Sequence, residues 1–248
     1  MKKSPAQIEI MREGGAILAE TFNKVLSLVK VGLKTKKLND VAAEYIRKSG
    51  AKPSFLGYQG YPAAICTSIN DEIVHGIPSN RKLIRGDLLS IDIGVFYKGL
   101  HTDAAVTVPV GKISNENRML LNAGRSALKK ALLAVKAGKT VGDIGYATQK
   151  EAKKYGYSVV RDMTGHGVGR ELHEDPSIPN FGDPGTGSVL EEGQTLAIEP
   201  MINKGDFKIV TKDDGWTVST LDGEKSVHFE ATVLVTKKGY ENLTPIKL

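Results

Sequence analysis

The sequence predicts an α/β (α+β) fold made of two similar halves, each a helix pair followed by antiparallel strands. An internal repeat is the first sign. VLSLVKVG at residues 25–32 and ALLAVKAG at 131–138 align without gaps at an offset of 106 residues, and continuing that offset sets Leu38 against Ile144 and Gly50 against Gly156. Helical periodicity with matching start and stop residues is the second sign, and β-rich runs after each helix pair are the third. Two such units related by a pseudo-twofold axis would curve their sheets around a shared cleft, where side chains from both halves meet. The expected organisation is a single catalytic domain, residues 1–248, with halves of about 1–110 and 111–248.

In the first half, helices are predicted over residues 4–29 and 37–48. Ser4 before Pro5 is an N-cap followed by a proline in the first turn, and Gly32 is a stop signal. In the second half the helices are 114–136 and 141–155, started by Ser114 and punctuated by Gly138 and Gly156. The stretch LLSIDIGVFYKGLHTDAAVTV reads as a hairpin turning at Lys98-Gly99. Residues 181–193 are rich in Gly and Pro and contain GDPGTG. They lack the Lys-Ser/Thr of a phosphate-binding loop and follow no clear strand, so a surface loop is predicted.

Five residues stand in short segments that read as strands or strand edges, where polar groups are costly: Asp92 in LLSIDIGVF, Asp103 in LHTDAAVTV, His166 in TGHGVG, Glu199 in TLAIEPMI and Glu230 in VHFEATVLV. Folding the hairpin at Lys98-Gly99 brings Asp92 and Asp103 opposite or diagonal. Two carboxylates embedded in Ile, Val and Ala cannot both ionise cheaply without a cation. His166 offers a neutral imidazole from a glycine-flanked turn. Glu199 and Glu230 add oxygen donors, so the set is hard and oxygen-rich with a single nitrogen. Four carboxylates and one histidine suit two divalent ions sharing bridges. Taken singly, an Asp or Glu in a strand is more often solvent-facing, and the glycines beside His166 could simply supply positive φ angles. Only the constellation is specific.

At 248 residues, with 40% hydrophobic and 25% charged, the chain is long enough for one large core and has an ordinary soluble composition. No stretch approaches the apolar length of a membrane span. The start, MKKSPAQIEIMREGGAILAETF, lacks the continuous apolar run of a signal peptide, so a cytoplasmic location is expected. The single cysteine, Cys66, excludes an intrachain disulfide and fits a reducing compartment. A net charge of +6 favours mildly acidic partners. Its Lys and Arg residues are spread along helices rather than interleaved with aromatics, so no sequence-specific nucleic-acid binding is expected. A solvated face, or salt-sensitive docking on the ribosome surface, are the readings left.

The stretches INDEIVHGIP, SIDIGVFYKGLHTDAAVTV, TGHGVGRELHE, AIEPMI, and DGWTVST followed by HFEATVLVT, in that order and spacing, closely resemble the type I methionine aminopeptidases, bacterial enzymes that remove initiator methionine. The resemblance covers nearly the whole chain. It implies the pita-bread fold of that superfamily, with a curved antiparallel sheet and outer helices. It also implies Asp92 on one metal ion, His166 and Glu199 on the other, and Asp103 and Glu230 bridging them. His75 in VHGIP and His173 in RELHE match positions that touch substrate. Without a zinc-finger extension or a helical insertion, the chain resembles the short bacterial form.

The resemblance further implies that divalent ions lower the pKa of a shared water and polarise the scissile carbonyl. Glu199 would act as general base and then acid. His173 would hydrogen-bond the substrate amide or the developing oxyanion, and His75 the nitrogen beside the scissile bond. By position, Phe55, Tyr58, Tyr61, Cys66, Leu172 and Trp216 would line a methionine pocket, where aromatic faces suit a thioether. Phe55 stands where the family often has a small residue, and Leu172 where it frequently has Phe, so the pocket shape departs from the common pattern. Asn70 and Ser226 match positions that hold sodium or potassium. Expected substrates are nascent polypeptide N-termini with a small second residue, and a monomer is the expected state. The donor set accepts Mn, Fe, Co, Ni or Zn. The alternatives are an X-Pro aminopeptidase or prolidase of the same fold, usually with a large extra N-terminal domain, and an inactive pita-bread binding module, which typically loses metal ligands.

Overall fold

Helix α1, Pro5–Leu26, begins where the Ser4 side chain accepts from the Gln7 N–H while the Gln7 side chain accepts from the Ser4 N–H. That reciprocal cap satisfies two amides that the first turn otherwise leaves open. The second helix, α2, spans Thr35–Lys48, followed by α3, Asn115–Ala134, and α4, Val141–Lys154. A computed structural model describes residues 2–246 of the chain. Helices α2 and α4 are equal in length and displaced by the 106 residues of the sequence repeat. The glycines of that repeat agree as well. Gly32 and Gly138 have φ of 85° and 84°, and Gly50 and Gly156 have 74° and 79°. Each pair turns the chain in the left-handed region that side chains avoid. α3 stops two residues short of its predicted end because Val135 is already extended.

The first half is built on a hairpin. Leu88–Tyr97 pairs along its whole length with Leu100–Pro109, and its other edge takes Cys66–Ile69 and Lys52–Pro53. The turn is Lys98-Gly99, with φ of 47° and 87°, the doubly left-handed turn that matches strand twist. α1 packs on this hairpin, and Leu18, Phe22, Val25, Leu38, Ile46, Ile91, Ile93 and Val106 form the core between them. The second half carries a five-stranded antiparallel sheet in the order Tyr240–Asn242, Ala231–Val235, Thr195–Ile198, Thr164–Gly167, Glu174–Pro179. Helix α3 with α4 covers it through Ala131, Val135, Ile144, Leu196 and Val233. The predicted loop at 181–193 folds against the start of α4, where Val141 and Gly142 N–H groups donate to Ser188 and Thr186 carbonyls.

The halves meet along Leu100–Pro109 and the segment 226–235. The Glu230 N–H donates to Ala105 O at 2.8 Å. On either side of that contact a threonine reaches across. Thr232 Oγ1 bonds both the N–H and the carbonyl of Asp103, and Thr107 Oγ1 bonds both the N–H and the carbonyl of His228. The amino end is fastened too, since the Lys3 N–H donates to Gly193 O and its ammonium lies 2.8 Å from Glu174 Oε2.

Candidate metal centre and substrate pocket

The register of the first hairpin sets Gly94 opposite Asp103 and Asp92 opposite Ala105. The two aspartates are therefore diagonal on one face, one of the two arrangements the sequence allows. Cys66 lies beside Asp92 on the neighbouring strand. Gly94 is needed for space: a Cβ there would stand 2.7 Å from Phe55 Cε1 and from Ser54 Cβ. Its bareness lets Phe55 lie over the hairpin next to the carboxylates.

His166 has the strand setting read for its segment and not the glycine-flanked turn. It lies within the strand Thr164–Gly167, paired with Ala197. Neither Gly165 nor Gly167 has positive φ. They are glycines because the backbones press together. A Cβ on Gly165 would be 2.6 Å from Ala197 O, and one on Gly167 would be 2.2 Å from Asp175 O. His166 Nδ1 sits 2.9 Å from Gly167 O. A carbonyl only accepts, so Nδ1 carries the proton and Nε2 is left as a donor to a metal.

Glu199 and Glu230 occupy one interruption in a shared ladder. Ala231 pairs with Ile198 and His228 pairs with Met201, so residues 199–200 face 229–230 without regular pairing. Pro200 has no N–H to give. The freed geometry turns both carboxylates into the cleft. Glu199 Oε1 is 3.5 Å from His166 Nε2, and Glu199 Oε2 is 3.3 Å from His228 Nε2. His228 was missed in the sequence, although it stands two residues before Glu230 in a β-rich run, the spacing that puts side chains on one face.

Four buried atoms of this cluster, Asp92 Oδ1, Asp103 Oδ1, Glu230 Oε1 and His228 Nε2, have no hydrogen-bond partner. Ligand atoms of Asp103, His166 and Glu230 all lie within 4.8 Å of one another, and these residues are 4%, 8% and 4% exposed. Burial raises the pKa of all four carboxyls. The charge of Asp103 adds to the shift of Asp92, and Glu199 adds to that of Asp103. Burial, followed by His173, lowers His166 to about 4, so its imidazole is neutral at pH 7. Orphaned oxygens that resist ionisation beside a neutral imidazole need a cation to be stable. The donors fit divalent metal.

A cavity of about 310 Å³ opens beside these groups. Phe55, Tyr58, Tyr61, Cys66, Leu172 and Trp216 all line it, as do His75 and His173. Tyr61 and Trp216 meet edge to face at 5.2 Å, and Phe55 with Leu172 closes the apolar wall. Tyr58 Oη is 2.8 Å from His173 Nδ1, which leaves His173 Nε2 for other partners. The His173 ring stands 4.3 Å from that of His166. His75 has φ of 60°, a conformation costly for a side-chain-bearing residue and concentrated at functional sites. Gln59, Asp162, Met163 and Thr164 border the same cavity and had gone unnoticed in the sequence. Asn70 and Ser226 are adjacent, the Ser226 N–H donating to Asn70 O at 2.8 Å. Their side chains bond Asp87, Leu88 N–H and Ile202 O.

Buried carboxylates and neutral imidazoles drawn from both halves, with an apolar pocket alongside, define a metal-dependent hydrolase. The comparisons with known proteins make that class specific. The model of metallopeptidase family M24 matches residues 9–237. Methionine aminopeptidase 1 of Bacillus subtilis is 46% identical over 244 residues, 98% of each chain. The crystal structure of methionine aminopeptidase from Thermotoga maritima superposes with a TM-score of 0.96 at 44% identity, again over 98% of each chain. Prolidase from Pyrococcus furiosus gives 0.82 at 25% identity, with this chain covering 66% of its length. The chain belongs to metallopeptidase family M24, and its fold is the pita-bread fold expected from the sequence.

Proposed function

We infer that this chain is a methionine aminopeptidase, hydrolysing the bond after an N-terminal methionine. The observation that carries the reading is the junction of partnerless carboxylates with a small aromatic-lined pocket. The pocket takes the thioether side chain, and the acidic cluster takes the free amine and the scissile bond. Asp92, Asp103, His166, Glu199 and Glu230 are the proposed ligands of two divalent ions, drawn from Mn, Fe, Co, Ni and Zn. Bound there, the ions supply an acidified water and polarise the scissile carbonyl.

The chain's own groups do the rest. Glu199, buried between His166 and His228, is placed to take a proton from the attacking water and pass it to the leaving amine, bound cations keeping its carboxylate ionised. Tyr58 holds His173 so that Nε2 faces the substrate, where it donates to the oxygen on which charge develops. His75 contacts the nitrogen beside the scissile bond. Phe55, Tyr61, Leu172 and Trp216 exclude water and fix the methionine side chain, with Tyr58 and Cys66 completing the wall.

The same proposal covers the chain as a single catalytic domain, its substrates as nascent polypeptides with a small second residue, a cytoplasmic location and a monomeric state. No helix among the described residues is long and apolar enough to cross a membrane. Salt-sensitive co-sedimentation would test ribosome docking, and the activity's response to sodium or potassium would test a cation beside Asn70 and Ser226. The deciding experiment is a peptide series Met-X-Ser with X from Gly to Trp, plus Leu-Ala-Ser. Cleavage confined to methionine before Gly, Ala, Ser, Thr, Pro, Val or Cys is expected. Efficient cleavage of Met-Trp-Ser or Leu-Ala-Ser would defeat the specificity, and preference for X-Pro peptides would move the chain to the prolidase branch.

A further inference from the structure

His228 is 1% exposed, and its Nε2 has no hydrogen-bond partner. That nitrogen nevertheless lies 3.3 Å from Glu199 Oε2 and 4.0 Å from Glu230 Oε2. Close approach without a hydrogen bond means that the nitrogen is not aligned on either carboxylate oxygen. His166 stands in the same relation to the other oxygen of Glu199, at 3.5 Å. The Glu199 carboxylate is thus flanked by two imidazole Nε2 atoms at nearly equal distance.

The backbone gives an independent reason. Thr107 lies four residues after Asp103, and Thr232 lies four after His228. Thr232 holds the N–H and carbonyl of Asp103, and Thr107 holds the N–H and carbonyl of His228, all at 2.8 to 2.9 Å. The Ala105 to Glu230 hydrogen bond lies midway between the two clasps. Where the halves join, His228 therefore occupies in the second half the place that Asp103 occupies in the first. A buried polar side chain left without a partner costs stability. At the position matching a ligand, a missing partner calls for a cation.

We propose that His228 is a further metal ligand of this centre, supplying a second imidazole nitrogen from the second half. The inference rests on the metal-centre reading above and deepens it. Two imidazoles among four carboxylates shift the site from a hard oxygen set toward borderline ions, favouring Co, Ni and Zn over Mn.

Affinity alone does not settle the role, because losing an outer contact to a ligand also weakens metal binding, by roughly 10–100-fold. The count of coordinated imidazoles does. Protein loaded with two equivalents of Zn(II) is examined by X-ray absorption, in the unchanged chain and in His228→Ala, with His228→Gln carried in parallel to keep the volume should the alanine variant fail to fold. Two imidazoles per chain in the unchanged protein, falling to one in whichever variant folds, is the expected result. Mn(II) affinity should fall less than Zn(II) affinity in the same variant. One imidazole in the unchanged protein, or two in both, overturns the assignment of His228 while leaving the metal centre intact. Failure of the unchanged protein to take up Zn(II) overturns both readings.

Discussion

The Thr232 hydroxyl accepts from the Asp103 N–H at 2.9 Å and donates to the Asp103 carbonyl at 2.8 Å. A residue of one half thereby sets the backbone of an acidic ligand candidate in the other. Thr232→Val keeps the shape and removes the partner of both buried groups, each worth about 1–3 kcal/mol when left unmade. Urea unfolding should show that loss, and calorimetric titration with Co(II) should show weaker metal binding. Thr232→Ser should restore both. Unchanged metal affinity in the valine variant would mean that the clasp does not position Asp103.

Gly165 allows the His166 strand to approach Ala197 O, with only 2.6 Å left for a Cβ. A Cβ at Gly165 would meet Glu199 Cγ only in ordinary contact, at 3.5 Å, so Gly165→Ala acts mainly by pushing the strands apart, at about 1–3 kcal/mol for overpacking of this kind. Activity and Zn(II) affinity should fall together. A variant of native melting temperature and activity would show that the strands part without disturbing His166.

Lys3 and Glu174 form an ion pair whose side chains are 2% and 6% exposed, and Glu174 follows His173 directly. Burial works to raise the Glu174 pKa, but the Lys3 hydrogen bond and charge, with the backbone N–H groups of Glu171 and Arg170, outweigh it, and the net shift is downward. A depressed carboxyl pKa gives stability that is present above the unfolded value near 4 and lost as pH falls through the folded value. Lys3→Ala should cost about 3–5 kcal/mol at pH 7, the range for breaking a buried pair. The gap from the unchanged protein should narrow in acid. A gap that stays constant from pH 7 to 3 would contradict the pairing.

Glu199→Gln keeps the size of the side chain and one coordinating oxygen but removes the proton acceptor. Turnover of Met-Ala-Ser should drop by about 10²–10⁴-fold, the range for loss of a general base. Near-normal turnover at full metal loading would remove Glu199 from that role.

Chelation should abolish hydrolysis and lower the melting temperature, and Mn(II) or Co(II) should restore both. Cys66→Ser should retain much of the activity, because the thiol only lines the pocket, and burial raises its pKa well above the ordinary value. Complete loss in Cys66→Ser with metal still bound would point to a cysteine nucleophile.

Much of this was legible in the sequence. The repeat placed α2 and α4 in register, and the Lys98-Gly99 turn brought Asp92 and Asp103 opposite or diagonal, because turn type and strand period are local properties; the observed register selects the diagonal. What stayed hidden depends on contacts between distant segments. Gly165 and Gly167 looked like turn glycines, since nothing nearby in the chain reveals the carbonyls of Ala197 and Asp175 that crowd them. The break that aims Glu199 and Glu230 appears only once two strands are paired. His228 stands two residues from Glu230, but a lone histidine in an apolar run carries no signal of its own. Lys3 and Glu174 are too far apart in the chain for any local pattern to join them.

The interruption at residues 199–200 and 229–230 also bears on stiffness. Where a sheet would normally carry load through successive backbone rungs, here one long rung, Phe229 N–H to Pro200 O at 3.2 Å, joins the two segments, with the Glu199 carboxylate and the His228 imidazole facing each other beside it. A metal held by Asp92 and Asp103 of the first half and by Glu199 and Glu230 of the second would tie the halves together, so occupancy would be a mechanical variable as well as a chemical one. A partly loaded preparation would then mix stiffer and softer molecules, and its average melting temperature should rise with metal content.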